Sequence, residues 1–409
     1  MTSKLHIETA LTPTETAGEI AVPGLANLHS HAFQRAMAGL TERRGSQTDS
    51  FWTWREAMYR FVERLTPDDL EAIAAFAYME MLEAGFTWVA EFHYLHHQPD
   101  GRPYDNLAEM SERIVAAADQ AGIGLTLLPV LYRQSGFGGK PPGEGQRRFL
   151  NDRDSYARIM ETHVPAGTIG FAPHSLRAVT LDDLQWAARS FKGKPAHIHV
   201  SEQTREVDDC LAAHGRRPVD LLMDTVEVDE HWCLVHATHA DAGERTRIAR
   251  AGAVVGLCPI TEANLGDGLF DVPDFLAQGG RFGIGSDSLV RISAADELRT
   301  LEYGQRLFHR QRNVLGTAAG STGRRLFDAA RAGGAQAVGL PSSSQGADVV
   351  MLEGSGHPAD TALDHWIFSA DNAAVRSVHR GGFSLVQDGR HRDRERIGQR
   401  YRRTMAKLL

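Results

Sequence analysis

The sequence is poor in cysteine, with three in 409 residues. Cys210, Cys233 and Cys258 are odd in number and widely spaced, which argues against a disulfide framework and a cysteine-type zinc site. Apolar runs of about 18 residues are missing, so no membrane-spanning helix is expected. The first ten residues, Met1 to Ala10, lack the basic-then-apolar pattern of a secretory leader, so the expected compartment is the cytoplasm. Long basic blocks are missing too, and the formal net charge is −8. Nucleic acid is therefore excluded as an expected partner, because phosphate binding needs a positive patch. No internal repeat and no low-complexity segment interrupts the chain. Composition is otherwise that of a globular enzyme, 42% apolar and 23% charged, and the length fits one large domain with a smaller one. Histidine is abundant, at 19 residues, which directs attention to metal-ligand spacing.

Short apolar runs alternate with amphipathic helical stretches along the middle of the chain. Strand candidates begin at Gly24, Phe86, Leu125, Thr168, Pro195, His231, Ala253 and Arg281. Helix signals lie between them, as in Pro67–Leu82, Leu107–Ala121 and Asp241–Ala251, and several end at glycine just before the next strand. Eight alternations over about 300 residues predict an α/β fold built as a parallel (β/α)8 barrel of the TIM type. We place it at residues 23–340. From about Gln345 the pattern turns strand-like, with Gly-Gly and Asp-Gly turn signals. Residues 1–22 and 341–395 are expected to form a small accessory β domain, and 396–409 a basic C-terminal helix. Residues 132–146 read as a Gly/Pro-rich loop at the C-terminal face of the barrel, a candidate lid.

On such a barrel the chemistry sits where the strands end. The first strand ends in His29-Ser30-His31, the fourth in His174, the sixth in His236 and the eighth in Asp287. The fifth carries His197 and His199, followed by Glu202. Alternate residues of a strand share a face, so His29 and His31 can address one ion. A lone His-x-His is more often a satisfied or surface pair than a metal site. Joined to a histidine of strand five and an aspartate of strand eight, it makes an N/O donor set suited to zinc, and also open to iron(II) or manganese(II). By position alone, His197 and His199 are both eligible as the third imidazole.

These segments resemble the amidohydrolase superfamily. PGLANLHSHAFQRAMAGL is similar to its first-strand signature, HIHVSEQTREV to its fifth-strand segment and GIGSDSLV to its eighth. More narrowly, HSHAFQRAMAGLTERR, FWTWREAMY, VAEFHYLHH, LPVLYRQSGFGG, FAPHSLRAV, HVSEQTREV and LVHATH resemble the branch that deiminates N-formimino-L-glutamate, and together they span most of the barrel. The resemblance implies one zinc held by His29, His31, His199 and Asp287, with His197 left as a core histidine. It implies that Asp287 takes a proton from the attacking water, that His236 steadies the tetrahedral intermediate and that Glu202 passes a proton to the leaving nitrogen. It implies a small dicarboxylate substrate bound by Arg55 and Arg177, helped by His174, Tyr94 and Gln34, and a homodimeric assembly.

Periodicity supports Arg55 independently. Phe51, Arg55, Met58 and Val62 fall on one helical face, and a charge in an apolar stripe is paired, functional or snorkelling outward. Arg35, Arg43 and Arg44 read as surface charge. The family's accessory domain is a β-sandwich begun by a longer N-terminal stretch, whereas only 28 residues precede His29 here, so that domain is expected to be trimmed or completed by the C-terminal strands. Two other readings compete. A deaminase of a nucleobase or thioadenosine compound would use the same metal chemistry but needs no paired arginine clamp. A non-catalytic barrel scaffold would be expected to have lost ligands or the proton-transfer glutamate, and this chain keeps them all.

Overall fold

The computed structural model describes residues 14–16, 18–44, 49–165, 167–318, 320–340, 347–354, 356 and 361–409. Eight parallel strands lie where the hydrophobic runs predict them. The first four are Leu25–Ser30, Phe86–His93, Gly124–Leu131 and a fourth broken into Gly167–Ile169 and Ala172–Pro173. The other four are Ala196–Val200, Trp232–His236, Val254–Leu257 and Arg281–Ile284. They form two parallel arcs, strands one to four and strands five to eight. Parallel bridges Phe171–Ala196 and Ser175–His199 join strand four to five, and Ser30–Asp287 joins strand eight to one, which closes the barrel. Strands one, three, five, six and seven are buried at every position, as expected of a sheet covered by helices outside and side chains within.

Local chemistry sets the connections. The helix Pro67–Glu83 starts at Thr66, whose hydroxyl accepts from the Asp69 amide, with proline at the first helical position. Gly122 ends the helix Glu109–Ala121 at φ 80°, a left-handed conformation that costs a residue with a Cβ more than glycine.

The chain ends build one six-stranded antiparallel sheet beside the barrel. Its strands are Thr14–Thr16, Glu19–Pro23, Val349–Glu353, Val375–Arg380, Phe383–Gln387 and Arg390–His391. Gly381-Gly382 and Asp388-Gly389 form its two-residue turns, all four at positive φ as type I′ geometry requires. Among the described residues this is a single sheet and not the two facing layers of a sandwich. The side a second layer would cover is instead packed on the helix Pro67–Glu83. The head, which reads as poor in strand, supplies two strands because the tail offers an edge to pair with: Val350 opposes Val22 and Leu352 opposes Ile20.

The C-terminal helix Arg394–Leu408 lies on the same Pro67–Glu83 helix. Phe76 and Tyr401 stack at 4.0 Å, and Lys407 pairs with Asp69 at 2.9 Å. No helix among the described residues is long and apolar enough to cross a membrane.

One buried arginine fixes the helix Phe51–Val62, which carries Arg55. Arg148, 1% exposed, donates to the carbonyls of His97 (2.8 Å), Leu65 (2.9 Å) and Val62. Replacing it by methionine leaves three carbonyls without their donor. The expected result is a loss of about 2–3 kcal/mol, read as a lower thermal midpoint; an unchanged midpoint would mean that water satisfies all three.

Candidate metal centre and active site

The strand-one turn is held from several sides. The His29 carbonyl accepts from the Asp287 amide at 3.0 Å and the His31 amide donates to the Asp287 carbonyl at 3.1 Å, so strands one and eight are stitched at the ligand positions. Asn27 and Ser286 bond reciprocally at 2.9 and 3.0 Å one layer below. Glu91 accepts from Ser30 Oγ at 2.8 Å and from the Ala32 amide at 2.7 Å, gripping the turn between the two histidines. Burial pushes this carboxyl up to about 7. Gly285 has no substitute here, because a Cβ would stand 2.8 Å from the His29 backbone. His236, Ala237 and Asp287 all have left-handed backbones, at φ 66°, 49° and 44°. Such conformations cost roughly 1 kcal/mol or more each and gather at functional sites.

Donor atoms converge above this turn. His29 Nε2 lies 3.2 Å from His31 Nε2 and 3.0 Å from His199 Nε2. Asp287 Oδ1 lies 3.4 Å from His29 Nε2 and 3.2 Å from His31 Nε2. Nε2 of His236 is 3.9 Å from Asp287 Oδ2, and His29, His199, His236 and Asp287 each bring a ligand atom within 4.8 Å of the others. A tetrahedral zinc with bonds near 2.0–2.1 Å sets its ligand atoms about 3.3 Å apart, which is the spacing found. His31 Nδ1 donates to the Phe92 carbonyl at 2.9 Å and His199 Nδ1 to the His174 carbonyl at 3.1 Å, so both Nε2 lone pairs face inward. Burial lowers the His29 imidazole to about 3 and His199 well below its usual range, keeping both neutral. Converging lone pairs and a carboxylate repel one another unless a cation sits among them, so the residues fit a metal ion.

His236 belongs to the same cluster but is tied elsewhere. Its Nδ1 donates to Glu262 Oε1 at 3.2 Å. Burial would lower the imidazole, but that bond and the charges of Glu202 and Asp287 raise it to about 10, which makes it a proton-bearing donor facing Asp287.

A pocket opens above the donors. Its lining includes His31, Gln34, Arg55, Tyr94, His174, Arg177, His199, Glu202, His236 and Asp287. The structure thus gathers every predicted site residue around one cavity, apart from His29 beneath its floor. Gln34 Nε2 donates to Tyr94 Oη at 2.9 Å. Arg177, 9% exposed, donates to Glu202 Oε2 at 3.3 Å and lies 3.8 Å from Glu206. Arg55 stacks on the rings of Trp52 at 4.6 Å and Tyr59 at 5.6 Å, and its Nε is buried without a hydrogen-bond partner. Burial and the neighbouring Arg177 charge push His174 well below the usual range, so it meets a ligand uncharged. Tyr132 and Ser135, from the loop read as a candidate lid, form part of the wall.

His197 shares a strand face with His199 but sits a layer lower, where its Nε2 donates to the Ala337 carbonyl at 2.8 Å. Arg35 departs from its expected place at the surface. It binds Glu80 at 2.6 Å and the Leu289 carbonyl at 3.0 Å, bridging the first-strand loop to a neighbouring helix and to the eighth. Sequence reasoning missed Tyr132, although it stands at the end of strand three, and the aromatic wall of Phe51, Trp54, Tyr59 and Phe149. Glu262 was missed as well, because it lies in the helix Pro259–Leu265 that follows strand seven, where an acidic residue reads as solvated.

The model of the Amidohydrolase family matches residues 20–383. The chain is 52% identical to a formimidoylglutamate deiminase of Pseudomonas aeruginosa, over 97% of this chain and 91% of that protein. It is 25% identical to a 5-methylthioadenosine/S-adenosylhomocysteine deaminase of Haloquadratum walsbyi, over 91% and 81%. Among solved structures, an amidohydrolase from Brucella melitensis superposes with a TM-score of 0.92 at 50% identity, covering 97% of this chain and 95% of that one. An adenosine deaminase from Xanthomonas campestris with bound zinc shares the fold, with a TM-score of 0.79 at 20% identity over 96% and 86%.

Proposed function

This chain belongs to the amidohydrolase family, and from that premise we propose that it is a zinc-dependent hydrolase that converts N-formimino-L-glutamate to N-formyl-L-glutamate and ammonia. The observation that carries the substrate class is the pair of guanidiniums over the pocket. Arg55 and Arg177 both line the cavity whose floor is the donor cluster, and Arg55 leaves a buried Nε without an acceptor. A half-buried guanidinium with an unsatisfied buried nitrogen asks for an anion, and a guanidinium matches a carboxylate with two parallel hydrogen bonds. The relative from Pseudomonas aeruginosa, named for a glutamate derivative, supports the same substrate.

We assign the ligands as His29, His31, His199 and Asp287, a donor set suited to zinc, and the zinc-bearing fold relative supports that choice. When bound, the ion supplies Lewis-acid polarisation and lets a water ionise near neutral pH. The chain's own groups do the rest. Asp287 Oδ2 accepts the proton from the attacking water. His236, held by Glu262, donates toward the oxygen as the formimino carbon becomes tetrahedral. Both protons of the water end on the terminal nitrogen, the one taken by Asp287 and the one lost from the added hydroxyl as the formyl carbonyl forms; Glu202 delivers one of them to that nitrogen, the carbon–nitrogen bond breaks and ammonia departs. Arg177 and Arg55 hold the two carboxylates, while Gln34, Tyr94 and His174 fill the space between them and the floor.

The test is ammonia release by the zinc-loaded protein. N-formimino-L-glutamate should yield one ammonia per molecule, and 5′-methylthioadenosine, chosen because the 24–26% identical relatives are named for it, should yield none. The reverse pattern would leave a hydrolase but remove the glutamate substrate.

A further inference from the structure

Glu206 is outside the pocket lining yet touches the group that anchors the substrate. It lies in the first turn of the helix Thr204–His214 and is fully buried. Its Oε2 accepts from the Glu202 amide at 3.1 Å and stands 3.8 Å from Arg177 Nε, and its Oε1 has no hydrogen-bond partner. Arg177 Nη2 meanwhile donates to Glu202 Oε2 at 3.3 Å. One guanidinium is therefore shared by two carboxylates, and one of these is the group assigned to proton transfer. A substrate carboxylate reaching Arg177 is a third anion on the same cation, and one of the first two must give way. Glu206 is held by backbone amides of the segment Ser201–Glu202, whereas Glu202 lines the cavity.

We propose that Glu206 is a positioning residue that keeps hold of Arg177 while the substrate carboxylate displaces Glu202, so that substrate binding itself frees Glu202 to turn to the reacting nitrogen. The inference rests on the roles proposed above for Arg177 and Glu202. It couples recognition of the carboxylate to readiness for proton transfer: a substrate without that carboxylate leaves Glu202 on Arg177.

The variant Glu206→Gln keeps the shape and an acceptor for the Glu202 amide while removing the competing charge. Arg177 is then freer for an incoming carboxylate but also grips Glu202 alone. KM for N-formimino-L-glutamate should fall about threefold or more and kcat about tenfold or more, a joint fall that loss of packing alone does not give. Glutarate, a dicarboxylate with no formimino group, should bind the variant at least about threefold tighter by calorimetry. Glu206→Asp, which keeps the charge, should return both constants toward the parent. Unchanged constants, or a raised KM with kcat intact, would overturn the inference. A structure of the parent with glutarate bound decides the matter even should Glu206→Gln fail to fold: the Arg177–Glu202 contact should open while Glu206 stays beside Arg177, and persistence of the contact at 3.3 Å would overturn it. Absence of ammonia release from N-formimino-L-glutamate by the parent refutes the proposed substrate, whereas the glutarate measurements judge Glu206, and failure of glutarate to bind a parent that releases ammonia would overturn the inference about Glu206 alone.

Discussion

Asp287→Asn lowers kcat for ammonia release by at least about 1,000-fold, some 4 kcal/mol of barrier, while the protein still takes up metal at high zinc concentration. The two effects separate because the carboxylate has two tasks. Oδ1 faces the imidazoles of His29 and His31 at 3.4 and 3.2 Å, and Oδ2 faces His236 at 3.9 Å. An asparagine oxygen can still point at an ion, but an amide cannot take a proton from water at neutral pH. Three imidazoles remain to hold the metal, more weakly for want of a negative ligand. Chelation of the parent should remove activity altogether, and zinc should restore it. The measurement is kcat beside metal content for parent and variant. Full activity in a metal-loaded Asp287→Asn would move the base elsewhere, with Glu202 the nearest remaining carboxylate on the pocket wall. Loss of metal in proportion to activity would reduce Asp287 to a ligand.

Much of this site is legible in the chain because a barrel maps sequence position onto height. Every strand of a parallel barrel points the same way, so the residue at its C-terminal end is at the mouth. His31, His174, His199, His236 and Asp287 meet for that reason alone, without any long-range contact having to be guessed. Height also separates His197 from His199: two residues along a strand is about 6.6 Å, a whole layer of the barrel interior. Face periodicity cannot see that difference. Groups that act through a partner leave no such trace. Glu262 and Glu206 sit in helices where an acidic residue reads as solvated, and only tertiary packing shows that each is buried against His236 or Arg177. Arg35 was misplaced for the same reason, since its partners Glu80 and Leu289 lie far along the chain. Residues 1–22, expected in the small β domain, carry a weak strand pattern of their own because Glu19–Pro23 takes its pairing from neighbours on both sides, Thr14–Thr16 and Val349–Glu353.

The second large effect is expected at Arg177. Arg177→Ala should lower kcat/KM for N-formimino-L-glutamate by about 100-fold or more, close to 3 kcal/mol, as expected for removal of a buried charge-assisted hydrogen-bond donor. The guanidinium is enclosed, with the rings of Trp52 and Phe51 at 5.9 and 6.0 Å, so water reaches it poorly and screens its pairing little. Truncation removes the partner of a substrate carboxylate and also strips the counter-charge from Glu202 and Glu206. Those two carboxylates then face each other and an incoming dianion, which makes the loss larger than that of one hydrogen bond. A surface ion pair would cost ten-fold at most. The control is a substrate analogue with the corresponding carboxylate converted to an amide. The parent should prefer the carboxylate strongly, and Arg177→Ala should prefer it much less, because only the parent holds a cation at that place. An equal loss on both compounds would mean that Arg177 serves the pocket's shape and its own two glutamates, and recognition of the dianion would then fall to Arg55, the other cation on the pocket wall.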